Sequence, residues 1–169
     1  MRSATPPVTA ESVLRVLGAQ RKGEGSFAKG SEAVREVLSA AGPEVAAWLR
    51  PVDGSGLSRD DQASALATAR VLAFVWRSRE RDAFFGGLAR PGKGTLDDRF
   101  REKRFEGRVF AKTGTLRGVS GLVGLAIGWD GGSRVFAVLG EHVDVARCRR
   151  LQDQIVGTLV GSPPQSFRR

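Results

Sequence analysis

The chain has 169 residues, of which 41% are hydrophobic and 27% are charged, and its formal net charge is +9. These values are typical of one globular domain and exclude wholesale disorder. The single Cys148 and the single His142 exclude an intrachain disulfide and argue against a multi-cysteine metal site or a histidine-based triad. No apolar run reaches the roughly 18 residues of a membrane span, so we expect no transmembrane segment, and we see no secretory signal in the first ten residues.

Helical patterns fill the first part of the chain. Apolar residues recur there at spacings of three and four, the period of an amphipathic helix. Thr9 is a plausible N-cap for the first helix, and Asp60 and Asp61 are placed to cap the long one. The predicted helices cover 10–19, a segment opening at Ser26 or Ser31 and stopping at Gly42-Pro43, 44–49, 63–79, and a short stretch from Thr95 to Phe100.

The spacing of apolar residues changes after residue 107. Apolar and β-branched runs predict strands over 108–113, 122–129 and 134–139, and Asp130-Gly131 favours a hairpin turn between the last two. A final helix is predicted over 143–160, with Leu151 on its inward face. Helices, then an antiparallel meander, then a closing helix make an α+β arrangement.

The triplet Lys112-Thr113-Gly114 on the first of these strands carries the most specific chemistry in the chain. An ammonium supplies a fixed positive charge, and a threonine hydroxyl can donate to a carboxylate. A glycine has no side chain to keep an extended peptide from pairing with the strand backbone. The triplet alone is weak evidence, but it continues as Thr-Leu-Arg-Gly-Val-Ser-Gly-Leu122.

This run, together with Asp53-Gly-Ser-Gly-Leu-Ser-Arg59, resembles the D-alanyl-D-alanine carboxypeptidase/endopeptidase family of DacB-like low-molecular-mass penicillin-binding proteins. Residues 25–34 and 94–99 resemble other stretches of that family in the same order. The resemblance covers about residues 10–139. It implies part of a β-lactamase/DD-peptidase-like transpeptidase fold, with an antiparallel sheet flanked by helices. It also implies serine-type acyl transfer without a metal or other cofactor.

Carried onto this chain, the resemblance implies a catalytic role for Lys112. It implies substrate binding by Thr113, Gly114 and Thr115, with the Thr115 N–H in the oxyanion hole. It further suggests that Asp53, Ser55 and Ser58 line the cleft. The alternative for these three side chains is that they tie down their own loop through hydrogen bonds to the backbone.

This chain departs from the family's pattern at two motifs. Its Ser-x-x-Lys occurs here as Ser26-Phe-Ala-Lys29, which lies between glycines where the family has a structural helix start, so we interpret Ser26 as a cap. Its Ser-x-Asn is missing, because Thr5-Pro6-Pro7 stands in that place and the chain has no asparagine. We therefore expect the C-terminal portion of such an enzyme, inactive alone. Residues 1–9 would be poorly structured, 10–161 would form the transpeptidase-like part, and 162–169 would be a tail.

Other reactive residues have simpler interpretations. We expect Cys148 to be incidental and the Glu141-His142 pair to be an exposed strand end. We expect Ser120 to fix the turn into its strand.

Three functions follow from these features. The first is a serine-type peptidase fragment acting on peptidoglycan stem peptides, or binding a β-lactam, outside the cytoplasmic membrane. The second is a non-catalytic remnant that binds wall peptide or a complementing N-terminal chain. The third is a basic nucleic-acid-binding domain, which would show steep salt dependence. The basic residues are spread from Arg2 to Arg169, and the one dense basic stretch, 99–108, includes two acids and is typical of a solvated helix end and loop. We therefore expect no nucleic-acid partner.

Overall fold

The computed structural model describes residues 7–164, apart from the side chains of residues 43 and 44. The described residues divide into two compact units, 7–74 and 75–164. Within the part of the chain that the structure describes, no helix is both long and apolar enough to cross a bilayer. The predictions for residues 1–6, including Thr5 and Pro6, and for 165–169 lie outside the described residues. The domain boundaries at residues 10 and 161 stay predictions.

The first unit is mainly helical. Its elements are α1 (Pro7–Lys22), α2 (Phe27–Ser39), α3 (Pro43–Trp48), β1 (Leu49–Arg50), β2 (Gln62–Ala63) and α4 (Ala65–Trp76), the last of which crosses the unit boundary. The strands β1 and β2 form a short antiparallel pair that closes the loop between them. The helices match the predicted order, and α4 is shorter than predicted at both ends. Because α1 begins at Pro7, three residues earlier than expected, Thr9 lies inside the helix and the prediction that it is the N-cap is wrong.

α1 and α2 approach each other closely at two glycines. A Cβ on Gly30 would lie 2.3 Å from the Leu14 carbonyl oxygen, and one on Gly18 would lie 2.7 Å from the Gly30 nitrogen. Real Cβ atoms do not approach backbone atoms so closely, so this crossing needs a bare α-carbon on both helices.

Caps fix where α2 and α4 begin. Ser26 Oγ accepts a hydrogen bond from the Lys29 backbone nitrogen at 3.3 Å, which confirms Ser26 as the N-cap of α2. The prediction that Asp60 and Asp61 cap α4 is wrong: Ser64 Oγ accepts from the Ala67 nitrogen at 3.0 Å. Asp61 instead accepts from the backbone nitrogen of Val52, because its side chain turns back into the preceding loop.

The second unit holds the sheet. Its elements are α5 (Arg81–Gly86), β3 (Val109–Leu116), β4 (Val119–Ile127), β5 (Ser133–Glu141) and α6 (Val145–Val160), with sheet order β3-β4-β5 and antiparallel pairing throughout. The three strands and α6 confirm the predicted meander and closing helix. α5 was not predicted; its buried Phe85 packs edge-on against Trp76 at 5.5 Å.

The helix predicted from Thr95 to Phe100 is wrong. A 3-10 turn covers only Gly94–Leu96. The chain then leaves helical geometry at Phe100, whose φ is +56°. Leu96, Phe100 and Phe105 are all buried in the same cluster as the sheet, so burial of these anchors overrides the local helix signal.

α6 covers one face of the sheet. Val156 and Val160 pack in one cluster with Val109 and Ala111 of β3 and Leu122 of β4. The predicted inward position of Leu151 is wrong, since it is 52% exposed, while its neighbour Gln152 is fully buried. The face of α6 that meets the sheet therefore includes Gln152 and not Leu151.

Candidate functional site

β3 is an outer strand of its sheet, and most of its free side is open. The Ala111 nitrogen donates to the Ala89 carbonyl at 2.9 Å on that side, and no other described segment bridges it beyond this point. Because backbone groups alternate in direction along a strand, the N–H and C=O groups of Thr113 and Thr115 face the same open side as those of Ala111. This edge can pair with an extended ligand.

The Lys112 ammonium reaches this edge. Its side chain is exposed, and Nζ donates a hydrogen bond to the Thr113 carbonyl oxygen. The next residue, Gly114, is also exposed, and a Cβ placed there would meet nothing within 4 Å. The strand therefore presents a positive charge and a bare stretch of backbone side by side, as the sequence predicts.

Thr115 ends the open stretch. Its side chain is exposed, and its Oγ1 accepts a hydrogen bond from a terminal nitrogen of Arg149, on α6, at 3.2 Å. Across the sheet Thr115 pairs with Ser120 of β4. Lys112, Thr113, Gly114 and Thr115 thus stand together on one accessible strand, and their roles stay predictions.

A series of hydrogen-bonded, buried polar side chains connects this end of the strand pair to α6. Ser120 Oγ accepts from Gln152 Nε2 at 3.1 Å, and Gln152 Oε1 accepts from Arg99 at 3.2 Å. Arg99 also forms an ion pair with Asp153. Ser120 is 1% exposed, so it anchors β4 to α6 rather than fixing the turn as predicted. Its place on the inward-facing side of an alternating strand was the sequence signal for a buried polar partner.

Asp53, Ser55 and Ser58 lie in a loop of the first unit. The Asp53 carboxylate accepts from the backbone nitrogens of Gly56 and Ser58, the latter at 2.7 Å, and from Ser55 Oγ at 3.3 Å. Burial raises the pKa of Asp53, but these hydrogen bonds outweigh it and leave the pKa below its ordinary value. All three side chains are engaged in their own loop, which supports the structural alternative; a cleft-lining role stays a prediction.

Asp61 shares this loop and has the opposite shift. Burial, together with the neighbouring Asp53 charge, raises the pKa of Asp61 above its ordinary value, although the Val52 and Asp53 N–H groups oppose this. The folded state thus disfavours the ionised form. The contribution of the Asp61 carboxyl to the free energy of unfolding is complete at low pH, where the group is protonated. It is lost as the pH rises through the folded-state pKa.

Replacing Asp61 with asparagine should therefore raise stability at pH 7. The amide keeps the oxygen that accepts from Val52 and removes the unfavourable charge, so we expect a gain below about 1 kcal/mol because the site is partly solvated. In urea unfolding series the gain should vanish near pH 3, where the wild-type carboxyl is protonated in both states. Asp60→Asn, at the exposed neighbouring position, is the control; equal gains from both variants would contradict the assignment.

The remaining reactive residues are accounted for structurally. Lys29 Nζ pairs with Glu32 at 2.9 Å, whereas Ser26 Oγ is used by the helix cap. Cys148 is buried with its Sγ 3.9 Å from the Ser120 carbonyl oxygen. The His142 side chain is 93% exposed, which confirms the strand-end interpretation. Among the described residues no cluster of three potential metal ligands occurs.

Comparison with known proteins identifies the family. Residues 2–160 match the D-Ala-D-Ala carboxypeptidase 3 (S13) family. The D-alanyl-D-alanine carboxypeptidase of Actinomadura sp. is 35% identical over 135 residues, an alignment covering 72% of this chain and 24% of the relative. The chain therefore spans about a quarter of the length of that curated relative.

Solved structures share the fold. Penicillin-binding protein 4 of Haemophilus influenzae, complexed with a β-lactam, matches with a TM-score of 0.83 and 21% identity, over 96% of this chain and 40% of that one. A predatory endopeptidase of Bdellovibrio bacteriovorus matches with a TM-score of 0.66 and 18% identity, over 91% of this chain and 46% of that one. These likenesses confirm the α+β, DD-peptidase-like fold. The sequence matches show that the chain belongs to the D-Ala-D-Ala carboxypeptidase 3 (S13) family of serine peptidases.

Proposed function

We propose that this chain carries the substrate-recognition strand of a serine-type D-Ala-D-Ala carboxypeptidase/endopeptidase. The enzyme would act on peptidoglycan stem peptides by acyl transfer, outside the cytoplasmic membrane. The observation that carries the proposal is the open edge of β3, where the backbone of Thr113 and Thr115 faces outward on either side of exposed Gly114 and pairs on that side with no other described strand.

The strand can bind the end of a peptide in three ways. The backbone of Thr113 and Thr115 pairs with an extended ligand, and the Thr115 N–H can stabilise an oxyanion. The threonine hydroxyls can donate to a terminal carboxylate. The Lys112 ammonium, already at the edge, adds a positive charge that favours anionic groups of the ligand.

The reaction itself needs a nucleophile. In acyl transfer a serine oxygen attacks the carbonyl of the penultimate D-Ala, the terminal D-Ala leaves as the amine, and water then hydrolyses the acyl-serine ester. Ser26 and Lys29 do not form such a pair here, because the hydroxyl serves the cap and the ammonium pairs with Glu32. We therefore propose that the nucleophile comes from a complementing N-terminal portion and that this chain binds substrate without cleaving it.

Two measurements on the purified chain test this function. A nitrogen-15 NMR titration with N-acetyl-D-Ala-D-Ala should shift the amides of Thr113 and Thr115, whereas N-acetyl-L-Ala-L-Ala should not. Incubation with benzylpenicillin followed by intact-mass analysis should give no covalent adduct. Equal responses to the two dipeptides would refute the recognition role, and an adduct mapped to a serine would refute the missing nucleophile.

The gene offers a further discriminator. An in-frame Ser-x-x-Lys and Ser-Asp-Asn upstream of Met1 would place the nucleophile on the same polypeptide. Their absence would indicate either a non-catalytic remnant or a nucleophile supplied by a second chain.

A further inference from the structure

A groove lies between the second half of α6 and the short 3-10 turn Lys103–Phe105. Its volume is about 700 Å³, which is within the range of small-molecule sites in proteins. The nearly buried rings of Phe100 and Phe105 supply apolar lining, together with the bare backbone of Gly157. The rest of the lining consists mainly of side chains that donate or accept hydrogen bonds, namely Glu102, Arg104, Asp153, Gln154, Thr158 and Ser162.

Both walls of the groove are held in place. Arg99 forms an ion pair with Asp153 of α6, and its guanidinium lies 5.3 Å from the centre of the Phe100 ring. Phe100 has a φ of +56°, which a bulky residue keeps only where its surroundings hold it. A Cβ on Gly157 would lie 3.8 Å from Phe105 Cζ, so the two walls meet at this glycine. Because the groove is preformed, little ordering is needed when a ligand binds.

The lining suits a neutral ligand that is rich in hydroxyl groups. Each of the two carboxylates already pairs with an arginine, Glu102 with Arg104 and Asp153 with Arg99, and both would repel an anion. Thr158 Oγ1 donates to the Gln154 carbonyl oxygen at 3.0 Å, which leaves its lone pairs free to accept. The amide of Gln154 offers both donors and an acceptor. A sugar hydroxyl also donates and accepts, and the C–H faces of a sugar ring can pack against the apolar lining.

The groove lies within reach of the open edge of β3. Arg149 of α6 contacts Thr115 Oγ1, and the groove begins one helical turn later, at Asp153. Thr158 follows Arg149 by nine residues, or about 14 Å along the helix axis. An extended peptide of four or five residues spans about 14–17 Å. A group attached to the far end of a peptide held at β3 is therefore at about the distance of the groove.

We propose that this groove binds a neutral N-acetylhexosamine, the kind of sugar that forms the glycan strand to which stem peptides are attached. Gln154 and Thr158 bind its hydroxyl and amide groups, while Phe100 and Gly157 contact its apolar face. Sugar binding rests on the groove alone, whereas the identification of the sugar as part of peptidoglycan rests on the proposed function.

The test titrates tri-N-acetylchitotriose into the nitrogen-15-labelled full chain. The amides of Gly157 and Thr158 should shift, with the same affinity at low and high salt, because a neutral ligand is not screened. Thr158→Trp places an indole at the groove and should weaken binding at least about tenfold, and Gln154→Ala about fivefold, as expected for one lost hydrogen bond. Arg150→Trp adds the same bulk at an exposed position of α6 that does not line the groove, so it should bind as wild type does.

Unshifted amides at Gly157 and Thr158, or equal affinities of wild type and both groove variants, would overturn the sugar site. Affinity that falls steeply with salt would overturn the neutral ligand. The proposed function is read separately, at Thr113 and Thr115 with the D,D-dipeptide, so it stands if only the sugar fails to bind. If only the dipeptide fails, the groove is a sugar site and its link to peptidoglycan is overturned. The amide spectrum shows whether each variant is folded, and Gln154→Ala decides if Thr158→Trp is not.

Discussion

Replacing Gly124 with alanine should destabilise the second unit by about 3 kcal/mol or more, the upper range for overpacking a filled interior. Gly124 lies on β4, buried opposite Ala111. A Cβ at this position would stand 2.1 Å from the Phe110 carbonyl oxygen and 2.7 Å from the Ala111 Cα. Both are backbone atoms of β3, so relief requires the two strands to separate.

Urea unfolding followed by circular dichroism measures this effect. Gly114→Ala is the matched control on the same strand pair, since its added methyl group meets nothing within 4 Å. We expect the control to be neutral or slightly stabilising, because alanine loses less backbone entropy than glycine on folding. Equal unfolding midpoints for the Gly124 variant and wild type would show that the strands are not packed as described.

The second large effect is expected at Arg99. Arg99→Met keeps most of the aliphatic contact but removes the donor to Gln152 Oε1, which is fully buried and would be left without this partner. Asp153 also loses its ion pair, although its side chain is 39% exposed and can be rehydrated. We expect a loss of about 2–3 kcal/mol, dominated by the desolvated amide oxygen.

A double-mutant cycle isolates that cause. Adding Gln152→Leu to Arg99→Met removes the orphaned amide, so the double variant should be less destabilised than the sum of the two single variants. Arg101→Met, at an exposed position two residues away, should change stability by less than about 0.5 kcal/mol. Strict additivity of the two substitutions would show that Arg99 and Gln152 do not depend on each other.

The sheet and its open outer strand β3 could be predicted from sequence because their signals are local. β-branched runs and the Asp130-Gly131 turn specify the meander, and each strand pairs with the next along the chain. The bare backbone at Gly114 and the cap at Ser26 likewise depend on residues close in sequence. The role expected of the Lys112-Thr113-Gly114 triplet comes from the family resemblance, because the spacing of apolar residues does not indicate what a strand binds.

What sequence missed depends on contacts between distant elements. Gln152 reads as a solvent-facing helix residue until Ser120 and Arg99 are placed beside it, 32 and 53 positions away. Hydropathy alone favours Leu151 over its polar neighbour Gln152 for the inward position, so the sequence predicts the wrong one of the two. Asp61 matched a capping position, but the donor nearest to it belongs to Val52, across a folded loop.

The contact between Ala89 and Ala111 limits the length of the open edge of β3. That contact occupies the edge at Ala111, and the strand ends at Leu116. Thr113 and Thr115 are therefore the two residues between these points whose backbone groups face outward. Five residue steps separate Ala111 from Leu116, so at about 3.4 Å per step the interval is roughly 17 Å. The open edge is therefore a short interval bounded on one side by Ala89, long enough for the end of an extended peptide and too short for a longer run of paired residues.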